Sequence, residues 1–135
     1  MAYDNKPTRY SFPFPALATD QKYGFRGPKG KAGLLYDYGV TGISTALAGS
    51  TTAPKVQVGI TATPAAYGTA FDLTTLAVNK GRSVRSTYTP DQAAFDALMI
   101  NRVIPADTDV EIGLLAGVGT PGGVGNVFCE VIWGT

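Results

Sequence analysis

The chain reads as an all-β fold, an antiparallel sandwich of two sheets, and three observations predict it. Seventeen glycines and nine prolines are dispersed along 135 residues, which suits many short strands joined by tight turns better than a helical bundle. Apolar and polar residues alternate with period two in several segments, the spacing that turns one face of a strand to a core. The chain also closes on two such segments, 108–115 and 126–133, around a glycine-rich connection, so its end is expected to be tied into a sheet.

Residues 1–31 hold Pro7, Pro13, Pro15 and Pro28 with Gly24, Gly27 and Gly30, a spacing that forbids a helix and favours extended backbone. This segment is expected to be an arm. It carries Tyr3, Tyr10, Phe12, Phe14, Leu17, Tyr23 and Phe25, too many large apolar groups for a solvated tail. It must therefore lie against something, either its own domain or a neighbouring subunit. Six cations against two anions give it a net charge of +4, and the remainder of the chain has −3. The front of the molecule is thus a basic segment on a mildly acidic body.

From Lys31 the pattern turns to sheet. Leu34 to Ile43 predicts one long strand bent by a bulge, and Thr41 to Ala53 a loop. Val56, Val58 and Ile60 alternate with Gln57, Gly59 and Thr61, predicting a half-buried strand over 54–61. Phe71 and Leu73 predict another, running toward Val78; Lys80-Gly81-Arg82 is a turn, and residues 83–89 a further strand. One short helix is expected over 89–99, with Thr89 as cap, Pro90 in the first turn, and Phe95, Leu98 and Met99 on one face. Pro105 then opens the closing pair of strands, at 108–115 and 126–133, and 117–125 is expected to be a mobile hairpin loop. Together these elements predict a jelly-roll-like β-sandwich over 32–135 behind an extended N-terminal arm over 1–31.

Composition narrows the function. The chain contains no histidine, which removes the commonest general base, metal ligand and proton switch, so no catalytic residue and no enzyme activity is expected. No metal site and no cofactor are expected either. Asp107, Asp109 and Glu111 share one strand face, but a row along a ridge is not the converging oxygen shell that calcium needs, and solvated edge charges fit better. Asp91 and Asp96 diverge on a helix and read as exposed. The glycines of 117–125 lack the lysine and the following helix of a phosphate loop. Cys129 lies between apolar residues and reads as a small buried hydrophobe; a single cysteine excludes an internal disulfide. Net charge of +1 argues against nucleic acid as a partner. Apolar runs stay below the roughly 18 residues that span a bilayer, and the start lacks a signal-peptide core, so no membrane partner is expected and synthesis is assigned to a cytoplasm.

Residues 104–108, the glycine-rich hairpin and the terminal strand 127–132 resemble the C-terminal part of small jelly-roll decoration, or cement, proteins of tailed-bacteriophage heads. The chain also resembles, less specifically, the Bordetella-phage type of cement protein. The resemblance implies a virion structural protein on the capsid exterior, made in the host cytoplasm, binding the major capsid protein and self-associating as a dimer or trimer on the lattice. The physical reading agrees, because an apolar, basic segment can dock on an acidic lattice without an active site. Expected contacts are Arg9, Tyr10, Phe12, Phe14, Tyr23, Phe25 and Arg26, with Lys80, Arg82 and Arg85 as a secondary basic cluster. The alternative is a carbohydrate- or receptor-binding module of a phage tail or cell surface, with Tyr36, Tyr38, Tyr67, Tyr88 and Trp133 as stacking platforms.

Overall fold

A computed structural model describes residues 6–88 and 102–134. Among the described residues nine strands and one short helix follow in chain order: β1 (Thr8–Phe14), β2 (Gln21–Arg26), β3 (Gly33–Thr52), β4 (Lys55–Gly59), β5 (Gly68–Asp72), β6 (Arg82–Ser83), α1 (Val84–Tyr88), β7 (Val103–Ile104), β8 (Asp109–Leu115) and β9 (Val118–Trp133). One sheet runs β1-β9-β3-β6, with β7 also on β3, and the other runs β2-β8-β4-β5. All pairs are antiparallel, and they nest: β1 with β9, β2 with β8, β3 with β6, β4 with β5. A chain doubled on itself and then wrapped around a barrel axis gives this nesting, which is the jelly-roll-like sandwich the sequence predicts.

The core lies between the sheets. Leu35, Tyr38, Val40, Val127, Cys129 and Val131 from the first sheet meet Val56, Val58, Phe71, Val110, Ile112 and Leu114 from the second, all buried. Each such side chain contributes about 1.5–3 kcal/mol on burial before ordering costs. The expected bulge in β3 falls at Tyr36, where the register with β9 shifts between Leu35 and Asp37. That shift turns Tyr38 inward and Asp37 outward, opposite Glu130. Among the described residues no helix is long and apolar enough to cross a membrane.

Several expectations need correction. Residues 8–14 and 21–26 are not an arm outside the sandwich: they are edge strands of the two sheets, and Phe14 and Leu17 belong to the core. Their aromatic positions alternate with period two, and proline is tolerated at an edge, where a missing N–H costs no ladder bond. The expected loop 41–53 and the expected mobile loop 117–125 instead pair with each other, extending β3 and β9 into one long ribbon. Small residues and left-handed glycines hide this from local patterning. Gly49, at φ +86°, lies so close to Thr120 that a Cβ would meet its carbonyl oxygen at 2.1 Å.

Residues 84–88 form helix, not strand. Ser83 caps them: its Oγ accepts the Ser86 N–H at 3.1 Å while the Ser86 Oγ accepts the Ser83 N–H at 3.0 Å. The strand at Phe71 ends at Asp72, well before Val78. The expected helix over 89–99 lies outside the described residues.

Candidate functional site: the β1/β2 side of the sandwich

β1 borders the first sheet beside β9, and β2 borders the second beside β8, so the two edge strands lie on the same lateral side. The turn between them is pinned at three points. Leu17 donates its N–H to the Gly123 carbonyl at 2.9 Å, Asp20 Oδ1 accepts the Ala116 N–H at 2.9 Å, and Gln21 Nε2 donates to the Ala16 carbonyl at 2.7 Å. These bonds carry the chain from one sheet to the other without a long loop.

Period-two alternation sends Tyr10 and Phe12 of β1 and Tyr23 and Phe25 of β2 into the gap between the sheets. Tyr10 stacks on Phe25 with ring centroids 4.0 Å apart and planes 11° from parallel. Phe12 stacks on Tyr23 at 5.4 Å and 14°. Trp133 meets Tyr10 edge-on at 6.4 Å and donates its Nε1–H to the Tyr10 hydroxyl at 3.0 Å. Such aromatic pairs are worth roughly 0.5–1.5 kcal/mol each beyond the area they bury. Burial raises the Tyr10 and Tyr23 phenols above their ordinary pKa, so both stay neutral. The ladder seals the open side of the core and leaves its rings half-buried.

The other positions of the same strands point outward. Arg9 lies 4.2 Å from the centroid of the Phe128 ring and donates from Nη2 to Glu130 Oε1 at 3.3 Å. Arg26 donates from Nε to Asp109 Oδ1 at 2.7 Å, a bond that lowers the Asp109 pKa and raises that of Arg26. Lys22 is exposed on β2. Six of the seven expected contacts, Arg9, Tyr10, Phe12, Tyr23, Phe25 and Arg26, therefore gather on one side of the molecule. Phe14, at the end of the same strand as Arg9, is fully buried in the core and offers no contact surface.

The secondary cluster is at the opposite lateral side, since β6 and β5 are the far edges of their sheets. Arg82 donates from Nε to the Asp72 carbonyl at 2.9 Å and lies 5.2 Å from the centroid of the Phe71 ring. Arg85 covers the Tyr36 ring at 3.8 Å and donates from Nε to the Tyr36 carbonyl at 3.0 Å. Lys80 is exposed in the preceding turn. A shallow depression of about 220 Å³ on the outer face of the first sheet, lined by Arg9, Thr41, Arg82, Ser83, Ser86 and Phe128, is where residues of both groups meet.

One carboxylate escaped the sequence reading. Asp37 is buried on the outer face and accepts the N–H groups of Tyr38 and Arg85, each at 2.9 Å. Desolvation raises its pKa, against the pull of these bonds and of Ser83, with the Glu130 charge adding to the rise. The visible signal was a charged residue inside an apolar alternating run. The acidic row behaves otherwise than expected: β8 is an inner strand, so Asp109 and Glu111 are not edge charges. Each carboxylate has its own partner, with Asp107 accepting the Gly30 N–H at 2.9 Å and Glu111 the Thr61 hydroxyl at 2.6 Å. Among the described residues no group of three or more potential ligands could hold a metal. Cys129 is fully buried, and burial pushes its thiol pKa far up, so it is chemically quiet.

The glycan platforms fare poorly. Tyr38, Tyr67 and Trp133 are buried, Tyr36 lies under Arg85, and the Tyr88 side chain is outside the described set. Comparison with known proteins finds no family model, no curated protein and no solved structure that matches the chain.

Proposed function

We propose that this is a structural protein without catalytic activity, a decoration protein that attaches to the outside of a phage head by docking its β1/β2 side on the major capsid protein. The observation that supports this reading is the gathering of six separately identified residues, four aromatic and two cationic, on one lateral side of a jelly-roll-like sandwich. Rings locked by stacking present their edges at low entropic cost, and cations beside them favour an acidic partner. A lattice repeats the contact many times, so individually weak docking suffices. Self-association on that lattice belongs to the same proposal.

The test is co-sedimentation of the purified protein with shells of the virus that encodes it. Wild type is expected to pellet with the shells, and a Lys22→Glu variant to pellet substantially less at equal folded stability. Undiminished pelleting of that variant, or none by wild type, would contradict the reading. Saturable signals on a glycan array would favour the carbohydrate-binding alternative.

A further inference from the structure

The two lateral sides of the sandwich are finished differently. On the far side β6 is only two residues long, and the Arg82 guanidinium caps a β5 carbonyl, that of Asp72. Short edges and charged caps of this kind prevent strand addition. On the near side β1 is seven residues long, and among the described residues no hydrogen bond reaches its backbone except through β9. An edge strand leaves alternate backbone groups pointing outward. Pro13 indicates which ones: without an N–H, it suits the position whose nitrogen faces away from β9. Parity then turns the N–H groups of Arg9 and Ser11 outward as well.

Charge selects the occupant. Beside the two edge strands Arg9, Lys22 and Arg26 outnumber the carboxylates that pair with them, Glu130 and Asp109, so the side keeps a net positive charge through Lys22 and a second copy of it would meet like charge. An extended segment with acidic side chains meets the opposite charge.

We propose that the outer edge of β1 receives an extended acidic segment of a partner protein as an added strand. Its backbone bonds to Arg9 and Ser11, and its carboxylates face the Arg9 side chain. Main-chain bonds supply affinity in this mode, and alternate side chains supply specificity. Pro13 ends the ladder at one side and so fixes how far the added strand can run. The inference rests on the docking reading above and names the chemistry of the docked segment.

The probe is a synthetic peptide of alternating Val and Glu, titrated into the isotope-labelled protein and followed by amide shifts and hydrogen exchange. Saturable shifts and slowed exchange are expected at Arg9 and Ser11, weakening as salt rises. The same peptide N-methylated at alternate residues, or with Lys in place of Glu, is expected not to bind. Ser11→Pro should leave melting nearly unchanged, because the removed N–H lies outside the β9 ladder, and should weaken peptide binding by about tenfold or more.

Three results would each overturn the proposal: no saturable change at those amides, equal binding of the N-methylated peptide, or equal binding of the Lys peptide. A concentration-dependent dimer that protects the same amides without peptide would also overturn it, by assigning the edge to a second copy. Shell attachment retained without peptide binding would remove this proposal and leave the docking reading standing. Peptide binding without shell attachment would do the reverse.

Discussion

Phe14→Ala measures whether residues 8–14 belong to the core or lie outside it. The Phe14 ring is fully buried, and its tip stands so close to Gly125 that a Cβ there would lie 3.3 Å from Cζ. Removing a fully enclosed phenyl ring costs about 3–5 kcal/mol, the transfer free energy of the ring plus the cavity it leaves. For a chain of this length that corresponds to a melting point lower by roughly 10–20 °C. Arg9→Ala, on the same strand but pointing outward, is the control. Its guanidinium side chain is 48% exposed, so its ion pair with Glu130 and its contact with Phe128 together contribute only about 1 kcal/mol. Urea denaturation followed by tryptophan fluorescence reads both variants, because Trp133 is bonded to Tyr10 in the same strand. Similar small losses for the two variants, each below about 1 kcal/mol, would mean that Phe14 is not in the core and would refute the placement of β1.

Further expectations concern single groups. Gly49→Ala forces a Cβ against the Thr120 carbonyl in a left-handed backbone position and should cost about 1–3 kcal/mol in thermal melts; a loss under about 0.5 kcal/mol would contradict the β3/β9 ribbon. Asp37 has a raised pKa in the fold, so the folded chain binds a proton at a pH where the unfolded chain does not, and its contribution to stability grows as pH falls through the raised value. Asp37→Asn should abolish that gain and be at least as stable as wild type at neutral pH; a loss above about 2 kcal/mol there would show that the ionised form is favoured. Asp109 has the opposite sign: Arg26 lowers its pKa, so its contribution is present above the ordinary carboxylate value and is lost as pH falls through the folded one. Cys129 should resist a thiol reagent at pH 8 until urea unfolds the chain; rapid modification of the native protein would contradict its burial.

Where alternation was carried by large side chains, the fold was legible before any coordinates. β4, β8 and the second half of β9 lie where Val56, Val58, Val110, Ile112, Leu114, Val127, Cys129 and Val131 put them. The ribbon from Ser44 to Thr52 was not legible, since its residues are small and their pairing depends on a segment some seventy residues away. Tyr10, Phe12, Tyr23 and Phe25 were recognised as needing cover, but their prolines read as an arm because nothing local says that a strand is an edge. Their need for burial was visible; their partners were not. Asp37 shows the same limit, because only the bulge at Tyr36 turns it toward Glu130 and the start of α1.

The claim that matters most is that the β1/β2 side is the docking surface, and backbone hydrogen exchange of the protein bound to shells, compared with the protein alone, tests it directly. The account predicts slowed exchange on binding within Thr8–Phe14 and Gln21–Arg26, with β5 and β6 unchanged. Slowing confined to β5, β6 and α1, with β1 and β2 unaffected, would place the partner on the opposite side and contradict it.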